Sequence, residues 1–266
     1  MSLRIQSNPE ALGAHRNLQH TSANVAKSME RLSSGYRINR AADDAAGLAI
    51  SERMRSQIRG LGQATRNIQD GVSLVQTAEG NLDEVHSMLQ RVRELAVQYK
   101  NGTLSTSDQA AIQTEVNQLA SEIERIGTSA KFNGITLLAS ATGAVTFQVG
   151  VGDNESITVS TISLGASVGA FATLSGAAAI SAIDAAISKV SEARAAFGAV
   201  QNRLEHTMSA TQVYAENLTA AESRIRDVDM AAEMVNLTKN QILTQAGTAM
   251  LAQANQAPQS ILTLIR

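Results

Sequence analysis

Apolar residues recur every seven positions along two long stretches. They are Leu61, Ile68, Val75, Leu82, Leu89 and Ala96 in the first half, and Ile183, Val190, Phe197, Leu204, Leu218 and Ile225 in the second, where Thr211 is the one polar member of the register. Val72, Ala78, Val85, Val92 and Tyr99 fill the first stretch at intervals of three or four, the spacing that keeps one helix face apolar. Read as one helix, Ala42 to Tyr99 would span about 87 Å at 1.5 Å per residue. A helix that long cannot cover its own stripe, and the stretch from Ile180 to Val228 supplies the partner. The fold class this implies is mainly α, an elongated antiparallel helical bundle or coiled coil.

Composition narrows the interior. Aromatic residues make up 3% of the 266-residue chain, with no tryptophan, so the core is built from Ala, Leu, Ile, Val and Met, which suits narrow helix–helix seams. The only prolines are Pro9 and Pro258, so nothing between them breaks a helix by removing its N–H. A net charge of −2 with dispersed Lys and Arg gives no footprint for nucleic acid. No apolar run reaches the roughly 18 residues of a bilayer span, so no membrane insertion is expected. The first twenty residues carry Arg4, Glu10 and Arg16 and no apolar core of signal-peptide length. The absence of cysteine excludes disulfides and fits either a reducing compartment or a chain exported unlinked.

Near the N-terminus Ala11, Ala14, Leu18, Val25, Met29 and Leu32 form a stripe, with Asn17, Asn24 and Arg31 seven apart on another face. The pattern predicts an amphipathic helix ending near Ser33-Ser34-Gly35, where glycine takes the left-handed cap. A linker from Tyr36 to Arg40 leads to the long helix, expected to begin around Ala41 and to stop at the Asn101-Gly102 turn. A third helix starts at the capping cluster Ser105-Thr106-Ser107-Asp108, carries Ile112, Val116, Leu119, Ile123 and Ile126 on one face, and closes at Gly127. From Phe132 to about Leu174 the period shifts. Asn133-Gly134 signals a hairpin, and Val145, Phe147, Val149 and Val151 alternate before a Gly152-Asp153-Asn154 turn into Ile157 and Val159. After a Gly/Ala/Ser-rich connection, Gly165 to Ala179, helix resumes by Ile180 and runs to Ala257 with a break near Asp227. Its last part carries Val228, Ala231, Val235, Ile242, Ala246, Ala249 and Met250 on one side.

Both chain ends are therefore amphipathic helices outside the central bundle, and within one chain their stripes have only each other as partners. An alanine-rich pair is marginal in water, so the ends are expected to be loosely ordered in a monomer and to gain order when copies pack together. The candidate assembly residues are Leu18, Val25, Met29 and Leu32 on the first helix and Val235, Ile242, Ala246 and Met250 on the last.

No catalytic, cofactor or metal site emerges, and the chain is read as a non-enzyme. His15 and His20 are five apart, poor spacing for one helix face, and with His86 and His206 they read as solvated side chains. Asp43-Asp44 and Asp227-Val228-Asp229 lie at helix starts, where negative charge complements the helix dipole, so capping is preferred to acid–base pairing. Gly150-Val151-Gly152-Asp153 looks like a phosphate-loop fragment, yet lacks the lysine and the following helix, and is read as a hairpin turn. Asn101, Asn154, Asn217 and Asn236 each head an Asn-X-Ser/Thr triplet, a pattern too common to carry weight.

The segment Ser33-Ser34-Gly35-Tyr36-Arg37-Ile38-Asn39-Arg40-Ala41-Ala42-Asp43-Asp44-Ala45-Ala46-Gly47-Leu48-Ala49-Ile50 resembles the N-terminal signature of bacterial flagellins. The likeness continues from Gly71 to Leu82, through Lys131-Phe132-Asn133-Gly134, and from Gln253 to Arg266, and covers both ends and nearly everything except the region from Thr136 to Ala179. Tyr36 and Arg40 stand where the family more often has Leu and Ser. The outer domains that many flagellins insert after the hairpin are missing, so the resemblance is to a short form.

That resemblance implies a self-polymerising subunit of the extracellular flagellar filament, secreted without a cleaved signal by the flagellar type III apparatus. Residues 1–40 would be an inner-tube helix and linker, 41–131 the bundle helices of the outer tube, 132–179 the hairpin region and connection, 180–226 the C-terminal bundle helix, and 227–266 the C-terminal inner-tube helix. Asn17, Asn24 and Asn240 would line the channel. An export chaperone for the C-terminal helix and the hook-associated and cap proteins are implied partners. Gln90 to Gln98 is also similar to the segment sensed by the animal Toll-like receptor for flagellin, which carries the receptor role by resemblance onto Arg91, Leu95 and Glu115. Subunit packing is the favoured primary role of those residues. The alternatives are a hook-filament junction protein and a coiled-coil signalling or scaffold module.

Overall fold

Helix α1, Pro9–Ser34, is bounded by its own sequence: the Asn8 side chain accepts the Ala11 amide at 3.1 Å, Pro9 needs no amide partner, and Gly35 closes the helix at φ 76°. The computed structural model describes residues 8–139, 143–161, 163 and 179–265, with side chains through residue 256. After α1 come α2 (Ala45–Tyr99), α3 (Thr106–Ser129), the hairpin of β1 (Lys131–Phe132) and β2 (Ile135–Thr136), the hairpin of β3 (Ala144–Gln148) and β4 (Ser156–Ser160), α4 (Ala179–Arg226) and α5 (Met230–Ile265). The fold is mainly α, as the seven-residue repeat requires.

Several boundaries differ from the sequence reading. Helix α2 starts at Ala45, not near Ala41, because Asp44 accepts the Gly47 amide at 2.9 Å and so caps the helix, while Asp43 accepts the Asn39 and Arg40 amides and holds 39–44 in a turn. Helix α3 continues through the buried Gly127 to Ser129, where the Ala130 amide still bonds Ile126 O at 2.9 Å. At its start the capping cluster takes the form of a capping box, Ser105 with Asp108. Helix α5 does not stop at Ala257 but runs through Pro258 to Ile265. The connection read from Gly165 to Ala179 lies outside the described residues, apart from Ala179 at the start of α4.

The chain packs as two compact units, one of Gln57–Glu216 and the other of Met1–Ser56 together with Asn217–Arg266. In the first, the bundle unit, α2 and α4 run antiparallel: Arg93 Nε lies 2.6 Å from Asp184 Oδ1 and Arg194 Nη1 3.0 Å from Asp83 Oδ1, a constant sum of residue numbers. Every repeat residue from Leu61 to Ala96 is buried, as are Ile183, Val190, Phe197, Leu204 and the polar Thr211. Leu218 and Ile225 are half-buried. Ile112, Val116, Ala120 and Ile123 of α3 complete the core.

The β3–β4 hairpin lies against this core by alternation: Ile157 and Val159 are buried while Ser156, Thr158 and Ser160 face out. Asn67 Nδ2 donates to Gln148 O at 3.0 Å and ties the hairpin to α2. Gly71 lets them approach, since a Cβ there would stand 3.3 Å from both Phe147 and Leu204. In β1–β2, Asn133 (φ 48°) and Gly134 (φ 81°) supply the left-handed pair that a two-residue turn demands.

Candidate assembly surface

In the terminal unit α1 pairs with α5 in antiparallel order. Asn8 Nδ2 donates to Ala254 O at 2.7 Å, Leu18 sits over Gly247, and Ser28 Oγ donates to Glu233 Oε1 at 2.5 Å, so paired residue numbers again have a nearly constant sum. Pro258 explains the first contact. Having no N–H, it leaves the carbonyl four residues earlier, Ala254 O, without its helix partner, and Asn8 fills the gap while also capping α1.

The faces that meet are not the two apolar stripes. On α1 the stripe packs inward as expected, with Leu18, Val25 and Leu32 half-buried, although Met29 remains 54% exposed. On α5 the residues covered are Glu233, Leu237, Asn240, Thr244, Gly247, Leu251 and Ala254, at alternating steps of four and three. The expectation that the two stripes would cover each other is therefore corrected. Small side chains such as Gly247 let the backbones close on one another, and the hydrogen-bonding groups of Glu233 and Ala254 select that side. Asn240 consequently belongs to the α1 seam and not to the far side of the helix, whereas Asn17 and Asn24 are exposed.

The α5 stripe is left bare. Val235 is 69% exposed, Ile242 60% and Met250 65%, with Met234 and Leu243 beside them and Ala246 also exposed. At 100° per residue Val235, Ile242 and Ala246 lie nearly half a turn from the seam, with Met250 and Leu243 about a quarter turn from it on one side and Met234 on the other. A monomer seldom leaves a row of large aliphatic side chains in water unless something binds it.

The sequence reading also missed how the two helix breaks are joined. Tyr36 and Asp227 form an antiparallel bridge, with Arg37 N bonding Arg226 O at 2.7 Å and Val228 N bonding Gly35 O at 3.0 Å. The Arg226 guanidinium lies 4.7 Å from the Tyr36 ring centroid and 2.8 Å from Glu52. Asp229 accepts the Ala231 and Ala232 amides and starts α5. Of the four acidic residues read as caps, Asp44 and Asp229 cap, while Asp227 enters the bridge. Asp43 holds the linker: Lys27 lies 2.7 Å away, and its hydrogen bond, joined by the Arg40 amide, lowers the Asp43 carboxyl to about 2.

On the bundle unit, Arg91 makes two bonds to Glu115 Oε1, at 3.1 and 3.0 Å, and one to Glu94; the Glu115 bonds, then Glu94, raise its pKa. Leu95 does not share that surface. It is 2% exposed and belongs to the core. The Gly150–Asp153 stretch is the turn between β3 and β4, with the Gly152 amide donating to the Glu155 carboxylate at 2.9 Å. Among the described residues no group of three or more His, Cys, Asp or Glu is placed to hold a metal ion, and no helix is long and apolar enough to cross a membrane.

Comparison with known proteins accords with this arrangement. Residues 5–142 match the family model of the bacterial flagellin N-terminal helical region, and residues 180–265 that of the C-terminal helical region. The flagellin of Halalkalibacterium halodurans is 54% identical over 98% of this chain and 99% of its own. The flagellar filament 33 kDa core protein of Treponema phagedenis is 50% identical over 98% and 99%, and the flagellin of Bacillus subtilis 47% over 99% and 100%. The crystal structure of Bacillus cereus flagellin superposes with a TM-score of 0.51 and 31% identity over 59% of this chain and 94% of that one. A putative flagellar hook-associated protein from Vibrio parahaemolyticus reaches a TM-score of 0.57 over 70% of this chain and 100% of that one, at 14% identity, a likeness of fold alone. With both family models matched and relatives aligned end to end, the chain belongs to the bacterial flagellin family, as a short form.

Proposed function

We propose that the chain is a structural subunit that polymerises into the bacterial flagellar filament and works in motility without catalysing a reaction. The observation that carries this is the bare face of α5: α1 covers the side that carries Glu233, Leu237 and Gly247, and Val235, Ile242 and Met250 are left to water. Covering each such side chain against a neighbouring copy contributes about 1.5–3 kcal/mol, and repetition along a polymer multiplies the gain. Leu18, Val25 and Leu32 hold the pair together, while Met29, Val235, Ile242, Ala246 and Met250 meet other copies. The two helices already pair within one chain, so packing against copies suppresses their fraying, and amide hydrogen exchange along α1 and α5 should slow on polymerisation.

The finer reading rests on the likeness to flagellins. It implies that the chain takes an export chaperone on its C-terminal helix, with its exposed face, and passes through the flagellar type III apparatus. At the distal end it meets cap and hook-associated proteins as well as its own copies. Receptor recognition by animals is a secondary role, centred on the exposed Arg91–Glu115 pair, with Leu95 supporting it from the core.

Seeding purified protein with filament fragments and imaging by electron microscopy tests the assignment. Long fibres are expected; short caps would favour a junction protein, and no growth a signalling module. Deleting residues 1–32 or 229–266 should end growth and leave the bundle soluble.

A further inference from the structure

A helix pair with a small, weakly apolar seam has little to choose its register by. If α1 slid seven residues along α5, Leu18 would leave Gly247 for Asn240 or Ala254, all residues it can lie against. One group in the seam is not indifferent. Glu233 is 7% exposed, accepts the Ser28 hydroxyl at 2.5 Å and lies 3.7 Å from Arg31, whose Nε is itself buried with no hydrogen-bond partner. Ser28 is 5% exposed. A buried carboxylate with its cation is a poor way to stabilise a seam, because apolar side chains of similar volume do at least as well, but removing the partner from a buried charge is strongly unfavourable.

We propose that Glu233 is a positioning residue that sets the register of the terminal helix pair, acting through Ser28 and Arg31. Sliding one heptad in one direction puts Glu233 opposite Thr21, with Asn24 where Arg31 had been, so the carboxylate loses its cation. Sliding the other way carries it past the end of α1 at Gly35. The Asn8–Ala254 bond, about six turns along, is met in the same register. A single buried polar residue specifying register is the best-attested use of such groups in paired helices. Register in turn sets how far along α1, with its exposed Met29, the bare face of α5 stands, so this inference deepens the proposed assembly role and rests on it.

The chain has no cysteine, so introduced thiols report register directly. A Cβ on Gly247 would lie 3.9 Å from Leu18 Cβ, near the disulfide mean of about 3.8 Å. In the unpolymerised full-length chain, L18C/G247C reports the native register and L18C/N240C a one-heptad slip. The native pair should oxidise and the slipped pair should not in the parent, whereas E233Q, which keeps an acceptor for Ser28 but gives up the charge paired with Arg31, should already raise the slipped-to-native ratio. With E233L the slipped-to-native ratio should rise about tenfold. An unchanged ratio in E233L overturns the proposal. Should E233L lose helix by circular dichroism, S28A decides instead: it keeps the charge and removes its hydroxyl donor, and must raise the ratio, an unchanged ratio again overturning it. Failure of the parent chain to extend seeds would sink the assembly reading but leave the cross-linking result to judge Glu233 separately.

Discussion

The bundle unit and the terminal unit are built from the same kind of helix and use it in opposite ways. In the bundle, the large aliphatic side chains at the seven-residue positions of α2 and α4 face each other and are buried, so the unit satisfies its own stripe. In the terminal unit, α5 turns to α1 a mixed side of Glu233, Leu237, Asn240, Thr244 and Gly247, and leaves Val235, Ile242 and Met250 to water. Helix amphipathicity thus says that a face wants covering without saying by what. In one unit the cover is the same chain; in the other it is left for a neighbour.

That contrast should be breakable by mutation. The largest effect belongs to the bundle: Leu82→Ala should lower stability by about 2–5 kcal/mol, seen as a reduced thermal midpoint, since Leu82 is fully buried. Ile242→Asp should leave the monomer's melt unchanged yet stop fibre growth on seeds. If Ile242→Asp destabilised the monomer as much as Leu82→Ala, the two units would not differ as described. Asp229→Ala, which strips the cap from α5, should cost about 1 kcal/mol, read as fraying of terminal helix by circular dichroism.

A smaller effect is set by pH. The Asp43 carboxyl is lowered from 3.8 to about 2 by Lys27 and the linker amides, so its contribution is fully present above about pH 4 and is lost as pH falls towards 2. With Lys27 half exposed, the amount is about 1 kcal/mol. Denaturant melts of Asp43→Asn should lack that increment at neutral pH and converge with the parent near pH 2. Arg91→Asp should change stability least, its partners being exposed, while weakening signalling in receptor-bearing cells; undiminished signalling would count against the carried-over role.

What could be read from the sequence follows from locality. The α2–α4 seam was legible because a sevenfold repeat of large aliphatics admits one kind of burial. The ends of α1 and α5 were legible through Gly35 and Asp229, whose conformational preferences act within a turn. The Tyr36–Asp227 bridge joins residues at opposite ends of the chain through backbone atoms, which side-chain patterning does not encode. No spacing or motif marks Glu233, and its burial depends on which face of α5 meets α1. Leu95 stands four residues from Arg91, a spacing that suggests a shared face, yet it also stands beside Ala96 of the repeat, and the core claims it. Pro258 reads as a helix end, and the helix survives it where Asn8 takes over the freed carbonyl.

The methionines offer the most direct test of the bare face. Met234 (52% exposed) and Met250 (65%) lie on it, whereas Met88 and Met208 pack against the bundle core and serve as internal controls. Mild peroxide oxidation followed by mass spectrometry should convert Met234 and Met250 rapidly in the monomer and slowly in the filament, with Met88 and Met208 slow in both. Equal rates for Met234 and Met250 in monomer and filament, or protection already complete in the monomer, would contradict the claim that neighbouring copies supply the missing cover.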